Sequence, residues 1–163
     1  MLNDLISAMN KECDFFKGML KVSKEKTDVL VKRNIQRLEE ITEYEKQSVL
    51  ELKEIEKERE KQIKIVAKSI GIDEDCTVSD ILTKLDEQKG KTLASKRDEL
   101  LETINEIKKV NELNDALINN SLEHVDFLLN LVTYSNESTD NSYSKDGKVN
   151  ETTESKRLMD FKL

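Results

Sequence analysis

No proline interrupts the 163 residues of this chain, and only four of them are glycine. Proline removes a backbone donor and collides with the preceding turn, while glycine costs a helix interior about 1 kcal/mol relative to alanine. A chain lacking the first and sparing the second can carry helices of many turns. Leu, Ile, Glu and Lys, which keep rotamer freedom in a helix, dominate the sequence, and the strand formers Val, Tyr and Phe are sparse. The expected fold class is all-α. Because only 36% of the residues are hydrophobic against 37% charged, a narrow apolar seam is a better match than a broad core. That points to an elongated antiparallel helical bundle or coiled coil. Three long helices and one short connecting helix are expected over residues 1–134, with a disordered polar tail over 135–163.

Apolar spacing locates the helices. Leu2, Leu5, Met9, Cys13, Phe16, Leu20 and Leu30 recur at steps of three and four or their multiples, which predicts a first helix from Leu2 to Arg33 despite Gly18 inside it. Asn34 is placed to cap the next helix by accepting from the amide of Gln36 or Arg37. Leu38, Ile41, Leu52, Ile55, Ile63, Val66 and Ile70 continue the pattern, and Gly71 predicts a left-handed C-cap with Ile72 making the accompanying apolar contact. After Asp73 to Cys76, the run Thr77-Val78-Ser79-Asp80 reads as a capped helix start, followed by Ile81, Leu82 and Leu85 and an end near Gly90. From Lys91 to Tyr134 a heptad runs through Leu93, Arg97, Leu100, Ile104, Ile107, Asn111, Asn114, Ile118, Ser121, Val125, Leu128 and Val132. A sustained repeat of that kind describes one long helix packed at a shallow angle on its neighbours.

The net charge of −7 and a pI near 5.0 disfavour nucleic acid, which needs a concentrated basic face. Lysines alternate with glutamates along Lys53 to Lys64, the pattern of a solvated helix surface. Asp4, Lys11, Glu12 and Asp14 leave Met1 to Met19 without a basic leader or a continuous apolar region, and no segment reads as a membrane span. Cys13 and Cys76 have no CxxC spacing, which suits a reducing compartment. A cytoplasmic chain without membrane insertion is expected.

The sequence gives little to a reaction. His124 is the only histidine and stands one position before the stripe residue Val125, with no serine, cysteine or carboxylate constellation beside it. No glycine-rich phosphate loop or metal-ligand spacing occurs, so no catalytic residue, metal or cofactor is expected. The polar residues on the apolar stripes say more: Glu45 and Arg59 in the second helix, Arg97, Asn111, Asn114 and Ser121 in the fourth. Two readings are open. A seam asparagine can fix register at some cost in stability, with Glu and Arg pairing across the seam edge. Alternatively, Asn111 and Asn114 offer donors and acceptors to a bound peptide.

In their order along the chain these features resemble the FlgN-type flagellar export chaperone family. The likeness rests on Leu20 and Glu25 in the first helix, and on Glu45-Lys46, Leu52, Glu56 and Arg59 in the second. It continues with the Ile70-Gly71 stop, the short capped helix, Asn111 and Asn114 followed by Leu117-Ile118, and a tail bearing Tyr143-Ser144-Lys145-Asp146-Gly147. The resemblance implies a chaperone that binds hook-filament junction proteins, prevents their premature assembly and delivers them to the flagellar type III export gate without a nucleotide. It places client capture mainly in the C-terminal part, with Asn111, Asn114 and Ile118 as candidate contacts, and it assigns gate docking to Tyr143. The rival reading is a structural or regulatory coiled coil acting by self-association or on another protein.

Beyond Tyr134 the stretch Ser135 to Ser142 has no apolar residue, so it cannot offset its ordering entropy by burial. Apolar side chains return at Leu158, Met159, Phe161 and Leu163. They read either as a further client-binding patch or as part of a solubilising extension.

Overall fold

A computed structural model describes residues 1–139, which form four α-helices: α1 (Leu2–Val31), α2 (Ile35–Ile70), α3 (Val78–Lys84) and α4 (Glu87–Thr139). No strand occurs among the described residues. The chain divides into two units, Met1–Ser121 and Leu122–Leu163, and the boundary falls inside α4. Each unit is described by itself.

The helix ends follow local chemistry. α1 closes at Val31 rather than Arg33 because Arg33 turns into the left-handed region at φ 55, where the Asn34 amide reaches back to the Val29 carbonyl at 3.1 Å. Asn34 then caps α2, its side chain accepting from the Arg37 amide at 3.1 Å. Gly71 closes α2 at φ 71, a conformation that any Cβ would strain, and the Ile72 amide donates to the Ala67 carbonyl while its side chain packs on the core. Thr77 and Asp80 form a reciprocal capping box at the start of α3.

The boundaries of α3 and α4 also differ from expectation. Gly90 does not end α3: Leu85 adopts an extended conformation and α4 begins at Glu87, with the Gly90 amide already donating to the Asp86 carbonyl at 2.9 Å. A Cβ on Gly90 would stand 3.2 Å from Leu82 Cδ2, so this glycine lets α3 fold closely onto the first turns of α4. At the other end α4 continues past Tyr134 to Thr139. Nothing in Ser135 to Thr139 breaks a helix already propagating, since each added residue gains a bond without a new nucleus.

Cross-helix pairs give the directions within Met1–Ser121. Glu12 faces Arg59, Lys26 faces Glu45 and Glu25 faces Arg37, so α1 and α2 are antiparallel. Lys17 meets Glu99, Lys24 meets Glu106 and Ser23 meets Asn114, so α1 and α4 run parallel. The main core lies where all four helices meet: Leu5, Met9 and Cys13, then Ile63 and Val66, Val78 and Ile81, Leu93 and Leu100. Each large apolar side chain fully buried there contributes about 1.5–3 kcal/mol.

Candidate functional site

Along α4 within the first unit, one register of the heptad points inward. Leu93 and Leu100 are buried, Ile107 is half-buried and Asn114 is buried, whereas Ile104 and Asn111 lie at the solvent side. Asn114 is held by α1: its amide nitrogen donates to the Ser23 carbonyl at 3.0 Å and its oxygen accepts from the Thr27 hydroxyl at 2.6 Å. Asn111 is exposed, and it lines with Asn114 a cleft of about 390 Å³ walled by Phe16, Met19, Leu52 and Ile107. Ile118 is half-buried. The two asparagines thus share a cleft but not an environment.

The other polar stripe residues each find a neighbour. Glu45 pairs with Lys26 at 2.8 Å, Arg97 reaches Asp98 and the Ser79 hydroxyl, and the Ser121 hydroxyl donates to the Leu117 carbonyl of its own helix. Arg59 lies 2.8 Å from Glu12, yet the two are poorly aligned, so Arg59 Nε and Glu12 Oε2 have no hydrogen-bond partner. Glu12 is 3% exposed; burial pushes its carboxyl pKa up, the Arg59 charge pulls it down, and Glu56 adds a smaller upward push. Glu12 stands three residues after the stripe residue Met9 and so belongs to the inward face, although its charge hides that position from a search for apolar spacing. Nearby, hydrogen bonds from Lys17 and Lys96 bring the Glu99 carboxyl down to about 2.

In the second unit the helix has a different surface. Leu122 is 57% exposed, Val125 50%, Phe127 58% and Leu129 59%, and Leu128, Leu131 and Val132 are exposed with them. The heptad accounts for Val125, Leu128 and Val132 only. Leu122, Phe127, Leu129 and Leu131 are additional, and they were the signal available in the sequence that the repeat alone did not register. With about 100° between successive residues, the apolar positions from Leu122 to Leu131 sweep more than half of the helix circumference. His124 interrupts that sweep, and Glu123, Asp126 and Asn130 occupy the narrow remaining side.

A surface of this kind binds by shape and apolar burial. Clustered exposed apolar side chains of such size mark interaction sites. Among the described residues no group of His, Cys, Asp or Glu is arranged to hold a metal ion, and no helix is long and apolar enough to cross a membrane. The other predicted site residues, Tyr143, Leu158, Met159, Phe161 and Leu163, lie outside the described residues.

A sequence model of the family described as FlgN protein matches residues 1–151. No curated protein and no solved structure matches the chain.

Proposed function

We propose, since the chain belongs to the FlgN family of flagellar export chaperones, that it captures a hook-filament junction protein in the cytoplasm, keeps it from assembling early and delivers it to the export gate. The observation that carries this reading is the exposed apolar face from Leu122 to Val132. A helical segment of a client whose own apolar stripe is covered only on assembly can lie against it, in the helix-in-groove mode of recognition. The eight exposed apolar side chains between Leu122 and Tyr134 present on the order of 800 Å², about what one partner gives to a standard interface.

The remaining residues enter the proposal in separate roles. Asn111 and Ile118 are additional client contacts on the first unit. Asn114, with its amide bonded to α1, serves the site by fixing the register of α4. Leu158, Met159, Phe161 and Leu163 are further client contacts, and Tyr143 is the contact for the export gate. The test is co-expression of the full chain with a hook-filament junction protein. A stoichiometric complex is expected with the unaltered chain, and the Phe127→Asp, Leu129→Asp double variant should stay helical and lose it. Undiminished capture by that variant refutes the face as the client site, and recovery of no such client refutes the client class.

A further inference from the structure

The heptad of α4 has two registers, and in the first unit the fold covers one of them. Leu93, Leu100, Ile107 and Asn114 face inward, while Arg97, Ile104, Asn111 and Ile118 stand on the other register, half-buried or exposed, with Leu101 exposed beside them. We infer that an amphipathic helix of a partner protein, apolar along one stripe and basic at one end, lies along this second register, in a groove between α2 and α4. The groove belongs wholly to the first unit and goes beyond the client reading, with which it shares Asn111 and Ile118.

Two clefts mark its course. The 390 Å³ cleft described above takes Phe16 and Met19 from α1, Val49 and Leu52 from α2, and Ile107 and Asn111 from α4. A second cleft, of about 540 Å³, takes Met9 from α1, Ile63 from α2, and Arg97, Leu100 and Leu101 from α4. Met9 and Phe16 stand seven residues apart, Val49 and Ile63 fourteen, and Arg97 and Asn111 fourteen. Multiples of seven return to nearly the same side of a helix, so both clefts open along one side of the unit.

The spacing selects a helix as the occupant. Side chains at steps of three and four interdigitate with a stripe of the same spacing, and the two clefts admit the larger of them. From Arg97 to Ile118 the register runs roughly 32 Å at the usual rise per residue, the length of a helix of about six turns.

Charge selects its chemistry. In the second cleft Arg59, Lys64 and Arg97 are balanced by Glu60, Glu74 and Asp75. In the first, Lys26 is paired with Glu45 at 2.8 Å, and Asp115 has no ion pair among the described residues. That exposed carboxylate, one turn beyond the exposed Asn111, is placed to meet a lysine or arginine of the partner and so fixes which end of the helix lies there.

Methyl nuclear magnetic resonance of the full chain, titrated with designed helical peptides, tests this. One peptide of about twenty residues carries leucine at the seam positions of a heptad and two lysines at one end, and its counterpart carries two glutamates there. The lysine peptide should shift the Val49, Ile104 and Ile107 methyl signals and bind about fivefold more tightly than its counterpart, as expected of an exposed charge pair. Asp115→Lys should reverse that order. Val49→Glu, at an exposed side chain, should keep the thermal melt and abolish the Ile107 shift. The same order of peptides with Asp115→Lys overturns the proposal, as does an undiminished Ile107 shift with Val49→Glu. Peptides that move no signal, or only signals from Leu122 to Leu131, overturn it too. Shifts of Ile104 and Ile107 on raising the protein concentration alone would assign the groove to a second copy and overturn it as well. No flagellar client enters the test, so failure of the client reading is recognised separately.

Discussion

Leu93 and Leu128 occupy the same heptad position of the same helix, yet Leu93 is 0% exposed and Leu128 46%. The difference is in the neighbours. Leu93 meets α1, α2 and α3 side chains in the common core, whereas around Leu128 the described residues supply no such cover. A heptad therefore specifies that a stripe will be covered, and leaves open by what. In the first unit the partner is the chain's own helices and the result is stability. In the second it is proposed to be a client, and the result is recognition.

Substitutions in the two stretches should separate these outcomes. The largest effect is expected from Phe127→Asp with Leu129→Asp, where loss of two large apolar contacts removes roughly 3–6 kcal/mol of client binding. Thermal melts should leave the first unit intact. Calorimetry on the client complex measures the loss, and an unchanged affinity breaks the contrast. Leu93→Ala should do the reverse, destabilising the fold by about 2–5 kcal/mol through the cavity it leaves, while client affinity measured well below the melting temperature stays the same.

Asn114→Leu sharpens the comparison at one residue. The buried Ser23 carbonyl and the half-buried Thr27 hydroxyl would each lose a partner, so urea unfolding should show a loss of about 1–3 kcal/mol. A gain in stability would mean that the seam prefers an apolar side chain here, as many coiled coils do.

The smallest effect concerns pH. The raised carboxyl of Glu12 keeps a proton in the fold that the unfolded chain has released, so its contribution to stability falls as pH rises from 4.5 through the raised value. Glu12→Gln should flatten that fall in melts recorded over this window. Glu99 acts in the opposite sense: its contribution is complete above 4.5 and is lost as pH drops toward about 2. Melts of the Glu12→Gln chain should therefore retain the acid-side loss, and its disappearance would show that the two carboxyls are coupled.

Much of the first unit could be read from the sequence because its devices are local. Asn34, Gly71 and the Thr77–Asp80 pair each act within a few residues, and each was visible as a residue type at a fixed offset. Gly90 misled because its role is tertiary: a glycine that lets Leu82 approach looks the same in sequence as one that ends a helix. The left-handed turn at Arg33 was hidden for a related reason, since the residue type gives no sign of it. The candidate face was half visible. Val125, Leu128 and Val132 followed the repeat, but the exposed Phe127 and Leu129 lie outside it, and a search for one seam does not detect a helix that is apolar on more than one side.

The buried position of Cys13 also bears on chemistry outside the fold. Its thiol donates to the Lys96 carbonyl at 3.6 Å, and burial, aided by Glu99, pushes its pKa up; burial and then Asp80 do the same to Cys76. Both are kept as neutral thiols at neutral pH, and it is the thiolate that oxidants and alkylating reagents attack. The two thiols should thus react slowly in the folded chain: maleimide labelling should be slow at Cys76 and slower still at Cys13, which only unfolding would uncover.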